Sequence, residues 1–194
     1  WKGKIIARDV RSPGPGNNPM RFFYHHPAIG PAFIKKLFGE MDVTLFRDFR
    51  QSIDWLANGK ASLCFFCSDL DKAKLQGLPV EEFGSFKEGA ALTTQYGTLA
   101  LLNRAPHANA AKIFINWFLS RDGQLALQKS LARTAAEQAD SLRIDIPKTD
   151  VQPADRRVAG VDYLDIDGRV EWTEMKPVLA VLAEALAKAG KQKK

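Results

Sequence analysis

The segment from Asp9 to Asn17 carries the residue types that bind small anions. Its candidate ligand-binding residues are Asp9, Arg11, Ser12, Gly14, Gly16 and Asn17. Arg11 could hold a carboxylate or phosphate with its two-pronged guanidinium, and Ser12 could add a hydroxyl hydrogen bond. Glycines let a ligand approach the backbone closely, and N–H groups at the start of a following helix attract anions. The alternative is a Pro/Gly loop that only ends a strand, because the segment is neither a phosphate-binding loop with its lysine nor a dinucleotide fingerprint.

Two further groups of polar residues are candidates for the same ligand. Ser68 and Asp69 follow a predicted strand, and open α/β sheets bind ligands beyond the carboxyl ends of their strands. These two residues could hydrogen-bond the ligand, or they could cap the helix that follows. Tyr96, Gly97 and Thr98 lie at the start of another predicted strand, where Tyr96 could contact the ligand or be a half-buried surface residue.

Cys64 and Cys67 form a C-x-x-C motif within an apolar and aromatic run. A zinc site needs two more soft ligands, and the chain contains no other cysteine. A redox motif prefers a helix N-terminus, where the helix dipole activates the thiol. Residues three apart on a strand point to opposite faces, so the run favours two separately buried thiols.

Metal and catalytic chemistry have weaker signatures in this sequence. His25 and His26 are adjacent, and neighbours on a helix point about 100° apart, so they do not favour one shared metal ion. Asp162, Asp165 and Asp167 lack the glycine and terminal glutamate of a calcium loop, which favours an acidic turn. No serine lies in a G-x-S-x-G elbow, and no nucleophile has a matching base. We therefore expect ligand binding without a metal or cofactor, and not an enzyme.

The elements that must position these residues alternate along the first part of the chain. Hydrophobic periodicity predicts strands over residues 4–10, 43–46 and 61–67, and helices over 20–24, 32–38, 49–56 and 69–76. The continuous apolar run at 61–67 is typical of a strand buried on both faces. Strands alternating with helices predict an α/β fold with a mainly parallel sheet.

The later part of the chain has a different pattern. Residues 90–92 and 97–102 are strand candidates, and residues 109–120 form a strongly apolar predicted helix. One broad face of this helix carries Ile113, Phe114, Trp117 and Phe118. A face this apolar is expected to be buried.

Two hydroxyl residues are predicted to start helices in this later part. Ser120 could cap a helix over 121–131, and Thr173 is a candidate N-cap for the final helix. The chain is thereby divided into segments 1–85, 86–136 and 137–194, the last of them loop-rich before its closing helix.

The formal net charge of +6 does not predict nucleic-acid binding. Such surfaces cluster their basic residues on one face or helix, whereas the basic residues here are scattered. The mild excess of positive charge could still favour an anionic ligand. No apolar stretch approaches the ~18 residues of a membrane span, so membrane insertion is not predicted.

Several segments occur in an order and spacing shared with one family of proteins. They are residues 1–5 with Asp9, 12–16, 94–102, 105–107, 109–120, 123–124 and 141–147. Together they resemble the second lobe, the return to the first lobe and the following segment of iron(III)- and thiamine-type solute-binding proteins of ABC importers. The block at 109–120 is the most specific of these likenesses.

The resemblance implies a type II periplasmic-binding fold, in which two α/β lobes close on a solute. Segment 1–85 would be the second lobe, 86–136 the crossover to the first, and 137–194 the C-terminal segment. Most of the first lobe would then precede Trp1, in agreement with a strand that starts almost at the first residue. The partners implied are a solute, a membrane permease and its ATPase, and the location implied is the periplasm.

A small organic or phosphorus-containing anion suits Arg11, Ser12, Gly14 and Gly16 better than ferric iron does. Iron-binding members use paired tyrosines, whereas Phe22, Phe23 and Tyr24 offer only one. Without the first lobe, the apolar face of helix 109–120 is expected to drive self-association. The alternative function is the effector-binding domain of a transcription regulator, which shares the fold; a DNA-binding helix encoded upstream would favour it, and a signal peptide would favour the importer.

Overall fold

The computed structural model describes residues 1–81, 86–92, 99–132, 141, 143–149, 151, 160–161 and 163–192, with only the backbone described at 71, 92, 131, 132, 191 and 192. The strands in these ranges are β1 (Ile5–Arg8), β2 (Thr44–Phe46), β3 (Leu63–Phe65), β4 (Ala90–Leu92) and β5 (Tyr163–Asp165). The helices are α1 (Met20–His25), α2 (Gly30–Glu40), α3 (Phe49–Ala57), α4 (Leu70–Leu75), α5 (Ala108–Leu119), α6 (Arg121–Ala132), α7 (Val170–Thr173) and α8 (Lys176–Gln192).

A three-stranded parallel sheet, in the order β2–β1–β3, organises the first part of the chain. Its central strand is apolar at Ile5, Ile6 and Ala7, which are all buried. In register, Arg8 lies opposite Phe46 of β2, and Ala7 lies opposite Phe65 of β3. Because the three strands are parallel, their carboxyl ends meet at one edge of the sheet. We call this the carboxyl edge and define it as residues 8–11, 46–48 and 65–69.

Helices α1, α2 and α8 contribute most of the core that supports this sheet. Their buried apolar residues are Met20, Phe22, Phe23, Ile34, Leu37, Phe38, Val178, Leu182 and Ala185. Gly39 lies within α2, where a Cβ would come 3.3 Å from the Ala185 carbonyl oxygen, so its small size allows α2 and α8 to pack closely. Ion pairs join the same two helices, Lys35 to Glu184 and Lys188 to Glu40, each at 2.7 Å.

The described residues fall into two compact units. The first contains those of 1–82, 86–93 and 161–194, including the parallel pair β4–β5 and the core residue Ile166 directly after β5. The second contains those of 94–160, including α5 and α6. Within it, Ser120 Oγ accepts a hydrogen bond from the Gly123 N–H at 3.2 Å, which confirms the predicted cap of the helix after Ser120.

The mixed α/β architecture with small parallel sheets confirms the predicted fold class at that level. The described strands and helices of residues 1–81 follow the predicted order, with ends that differ by a few residues. The helix predicted over 32–38 is longer in the structure, because α2 begins at Gly30 and continues through Gly39 to Glu40.

Four expectations about particular segments are wrong. β3 covers only Leu63–Phe65, and these residues are partly exposed rather than buried on both faces. Residues 99–102, the described part of the 97–102 candidate, are not in a strand. Thr173 does not cap α8, because it ends α7 and its hydroxyl donates to the Val170 carbonyl oxygen. Helix α5 has no buried residue, and its apolar face is open to solvent.

Among the residues that the structure describes, none of the helices combines the length and apolar character needed to span a bilayer.

Candidate functional site

Asp9 lies at the centre of the carboxyl edge and holds two arginines. Its side chain is 6% exposed. It accepts hydrogen bonds from Arg11 Nε at 2.8 Å, Arg11 Nη2 at 2.9 Å and the Arg11 backbone N–H at 3.0 Å. It also accepts one from Arg47 Nε at 2.9 Å. The hydrogen bonds from Arg11 hold the pKa of Asp9 well below its usual range, those from Arg47 add to this, and burial opposes it. Asp9 is therefore a carboxylate that fixes the positions of two cations.

The two arginines that Asp9 holds are themselves exposed. The side chain of Arg11 is 56% exposed and that of Arg47 is 76% exposed. Arg11 donates Nε and Nη2 to Asp9. The bidentate guanidinium that was predicted to bind a ligand therefore binds a carboxylate of the protein itself. Arg47 uses only Nε, which leaves its two terminal nitrogens without a hydrogen-bond partner among the described residues. These nitrogens can donate a pair of hydrogen bonds to a carboxylate or phosphate.

Arg8, the last residue of β1, adds a third guanidinium to the carboxyl edge. Its guanidinium lies 3.8 Å from the centre of the Phe49 ring, a cation–π contact. Its Nη1 is buried and has no hydrogen-bond partner in the part of the chain that the structure describes. A buried donor without a partner is costly, and an acceptor supplied by a ligand would remove that cost.

The loop after Arg11 folds back on the end of β1. A Cβ at Gly16 would lie 2.5 Å from the Asp9 carbonyl oxygen and 2.8 Å from that of Arg8, so only glycine fits there. Asn17 is buried and donates to the Val10 carbonyl oxygen at 2.8 Å. Both residues therefore shape the loop, whereas Ser12 is exposed and Gly14 has open space around it.

The end of β3 is closed by a covalent bond. The prediction of two separate thiols is wrong, because Cys64 and Cys67 form a disulfide with their Cα atoms 6.0 Å apart. Phe66 between them has a φ of 62°, a left-handed conformation that ends the strand and returns Cys67 to the side of Cys64. Sequence periodicity assumed a continuous strand and therefore missed this turn.

Ser68 and Asp69 lie at the carboxyl edge, after the strand as the sequence predicted, and directly follow Cys67 of the disulfide. Ser68 is exposed. Asp69 occupies the N-cap position of α4 but makes no side-chain capping hydrogen bond there. Its carboxylate instead accepts from Lys72 Nζ at 2.6 Å. Neither residue is placed against Asp9, Arg11 or Arg47 by a hydrogen bond.

The other predicted site residues and acidic positions divide between described and undescribed parts of the chain. Tyr96, Gly97, Thr98 and Asp162 lie outside the described residues. Asp165 accepts hydrogen bonds from the backbone N–H groups of Asp167 and Gly168, as expected of an acidic turn. Within the described ranges, no group of three or more His, Cys, Asp or Glu side chains is arranged to hold a metal ion.

A second charged cluster joins α1 to the turn after β5. Arg21 is buried, and its Nη2 lies 2.5 Å from Asp167 Oδ1. His25 stacks on Trp172 with ring centres 5.0 Å apart, and the guanidinium of Arg169 lies 4.4 Å from the centre of the same indole. Burial lowers the pKa of His25, and the positive charge of Arg21 lowers it further. The buried position of Arg21 makes this cluster a cross-link rather than a binding surface.

Sequence reasoning missed Arg8, Arg47 and Phe49. The rule that ligands bind beyond the carboxyl ends of strands was applied after β1 and β3 but not after β2. Applied there, it names Arg47 and Asp48, and Asp48 proves to be the cap of α3, accepting from the Arg50 N–H at 2.8 Å. Arg8 had no comparable signal, because it belongs to the strand itself.

The chain matches no protein-family model, and no curated protein or solved structure is significantly similar to it.

Proposed function

We propose that this protein is the periplasmic solute-binding component of an ABC importer and that it captures a small anionic solute at the carboxyl edge. The solute would carry a carboxylate or phosphate group and would be released unchanged, without catalysis. The type II periplasmic-binding fold and the permease partner are parts of this proposal. Their support is the resemblance of segments 1–16 and 105–124 to that family.

The proposal that the ligand is an anion rests on the arrangement of charge around Asp9. Asp9 is the buried carboxylate that orients two guanidinium groups, those of Arg11 and Arg47, and Arg8 adds a third at the end of β1, where it packs on Phe49. At the carboxyl edge, the terminal nitrogens of Arg47 and Nη1 of Arg8 have no hydrogen-bond partner among the described residues and could donate to an anion. Because the pKa of Asp9 is lowered, its carboxylate is charged at neutral pH and holds both arginines there.

The site differs in detail from the one that the sequence predicts. Gly16 and Asn17 shape the loop, and Arg11 is a support for Asp9 more than a free clamp. Arg47, which the sequence did not single out, becomes the main anion-binding residue of the proposal. Ser12 stays a candidate hydroxyl donor because it is exposed on the same loop.

Calorimetric titration with inorganic phosphate, glycerol phosphate and citrate tests the proposal. We expect Arg47→Ala to weaken binding at least about tenfold, the loss of roughly one charge-assisted hydrogen bond. Arg50→Ala is the matched control, since it removes the same charge from an exposed position three residues away, on α3. Equal effects of the two substitutions, or no binding of any of the three anions by the unmodified protein, would refute the anion site.

Recovery of the bound compound tests the absence of catalysis. The ligand that binds best is incubated with the protein and examined by NMR after release. A capture protein returns it unchanged, whereas a new product in a time-dependent amount would identify an enzyme and overturn the proposal.

A further inference from the structure

The disulfide between Cys64 and Cys67 ties a strand to the loop beyond it. Cys64 lies within β3, opposite Ile6 of β1, and Cys67 lies after the strand has ended. Both cysteines are partly exposed, and both pack at the margin of a small core around Phe46 and Ala61. The bond is therefore within reach of a thiol in solution.

The residues enclosed by the bond have an unusual conformation. Phe66 has a φ of 62°, and Asp69 beyond the ring has a φ of 61°. Side chains other than glycine adopt this left-handed region at a cost in free energy. One consequence is visible in the packing: Phe65 and Phe66 are adjacent, yet both rings contact Phe23, with centres 6.2 and 6.0 Å away. On a regular strand, neighbouring side chains would point to opposite faces.

The bonded and extended conformations of this segment exclude one another. An extended Phe66 would send Cys64 and Cys67 to opposite faces, where their sulfur atoms cannot meet. The sequence of residues 61–67, apolar and aromatic, favours the extended conformation. The ring also encloses only two residues, so the bond restricts the unfolded chain little and its main effect is local.

We propose that Cys64–Cys67 is a redox-exchange site, opened by a dithiol reductant, and that the reduced segment continues β3 through Cys67. A thiolate of the reductant attacks one sulfur, the S–S bond breaks, and the other cysteine leaves as a thiolate. The second thiol of the reductant then resolves the mixed disulfide. The reductant departs as its own disulfide, and two electrons and two protons stay on Cys64 and Cys67 as two thiols.

The register of the sheet says where the reduced segment would lie. Ala7 pairs with Phe65, so two further residues of β3 would bring Phe66 opposite Arg8 and Cys67 opposite Asp9. Phe66 would leave the face that it now shares with Phe65. This inference goes beyond the proposed function and does not depend on it, because neither the exchange nor the strand extension requires an anion.

Hydrogen exchange and thiol counting test the proposal on the full chain. Dithiothreitol at millimolar concentration should expose two thiols while the protein stays folded by circular dichroism. The backbone amide of Cys67 should then become at least about tenfold better protected, because it would donate to β1 as the amide of Leu63 donates to Lys4, whereas the amide of Phe66 would point away from β1. The double variant Cys64→Ser/Cys67→Ser should show the same protection without reductant. A disulfide that opens only on global unfolding, or unchanged exchange in both the reduced protein and the double variant, would overturn the proposal.

A pair of substitutions at Phe66 tests the conformational coupling separately. Phe66→Gly and Phe66→Ala both lose the ring contacts, but only glycine adopts positive φ freely. In a glutathione titration, the glycine variant should hold the disulfide roughly fivefold more favourably than the alanine variant, because its bonded form is relieved of the left-handed cost. Identical redox equilibria for the two variants would contradict the coupling between Phe66 and the bond.

Discussion

Asp9 and Asp167 each pair with arginine, but the carboxylate is the more buried partner in the first pair and the guanidinium is the more buried partner in the second. At the carboxyl edge the carboxylate is the buried partner, with Asp9 at 6% exposure and Arg47 at 76%. Between α1 and the turn after β5 the guanidinium is the buried partner, with Arg21 at 5% and Asp167 at 14%. The first arrangement presents positive charge to solvent, whereas the second withdraws it.

Under the proposed function, this difference separates the charges available to a ligand from the charges that stabilise the fold. A buried carboxylate that holds exposed arginines orients groups that a ligand can reach. A buried arginine that reaches a residue 146 positions away joins two distant parts of one core. Breaking a buried pair by removing one partner costs far more than breaking an exposed pair. The comparison can therefore be tested by substitutions on each side.

Arg21→Ala should have the largest effect on stability. It removes the guanidinium from the buried pair and leaves the Asp167 carboxylate without it, at a cost of about 3–5 kcal/mol in the free energy of unfolding. Urea denaturation followed by tryptophan fluorescence measures this loss. Lys35→Ala is the control, because it breaks an exposed pair with Glu184 and should cost less than about 1 kcal/mol. Similar losses for the two variants would remove the distinction between the two kinds of ion pair.

Gly16→Ala should have the next largest effect, on the other side of the comparison. The added Cβ would meet backbone atoms of Asp9 and Arg8, which cannot move aside as a flexible side chain would. We expect a loss of about 1–3 kcal/mol in the free energy of unfolding, measured by thermal and urea denaturation. Gly190→Ala, at a position with open space around it, should cause no loss. A fully stable Gly16→Ala protein would mean that the loop does not pack on the end of β1.

Asp9→Asn should cost less stability than Gly16→Ala, about 1–2 kcal/mol at neutral pH. The pKa of Asp9 is lowered in the folded protein, so its contribution is complete above the unfolded value near 3.8 and is lost as pH falls toward the folded value. The unmodified protein should therefore lose stability below about pH 4 that Asp9→Asn does not lose. Asp54→Asn, at an exposed position on α3, should keep the acid dependence, and so provides the control for denaturation curves at pH 3 and pH 7.

The sheet and the candidate site residues at the end of β1 were predictable because their signals are local. Apolar strands, the break at residues 12–19 and the helix patterns of residues 1–81 are each contained within a few residues, and they fix the order in which the elements form. The same local signals located Asp9 and Arg11 correctly at the end of β1. They could not show that Arg11 turns toward Asp9, because that choice depends on the burial of Asp9 within the folded edge.

The remaining features depend on contacts between residues far apart in the sequence, which hydrophobic periodicity does not reveal. Arg47 reaches Asp9 across 38 residues, and Arg21 reaches Asp167 across 146. The end of β3 is decided by a covalent bond that competes with strand propensity at Phe66. The apolar helix α5 was expected to be buried, yet Ile113 is 72% exposed. Amphipathic patterning identifies an apolar face, but not whether a partner covers it.

Of the four predicted effects on stability, that of His25 is the smallest. Its pH range distinguishes the cluster around Arg21 from the carboxyl edge. Burial lowers the pKa of His25, the charge of Arg21 lowers it further, and Glu171 opposes the shift. A lowered folded pKa means that stability is complete above the unfolded value near 6.5 and is lost as pH falls through the folded value. Asp9 does not contribute in this range, because its carboxyl is charged in both the folded and unfolded states well above pH 4.

The unmodified protein should therefore be less stable to urea at pH 5 than at pH 7. His25→Phe keeps an aromatic ring that can stack on Trp172 but has no proton to gain, so its stability should change less between these two values. His26→Gln, at the neighbouring position, should retain the wild-type loss. A pH dependence that follows Asp9→Asn and ignores His25→Phe would show that the carboxyl edge, and not the Arg21 cluster, governs stability near neutral pH.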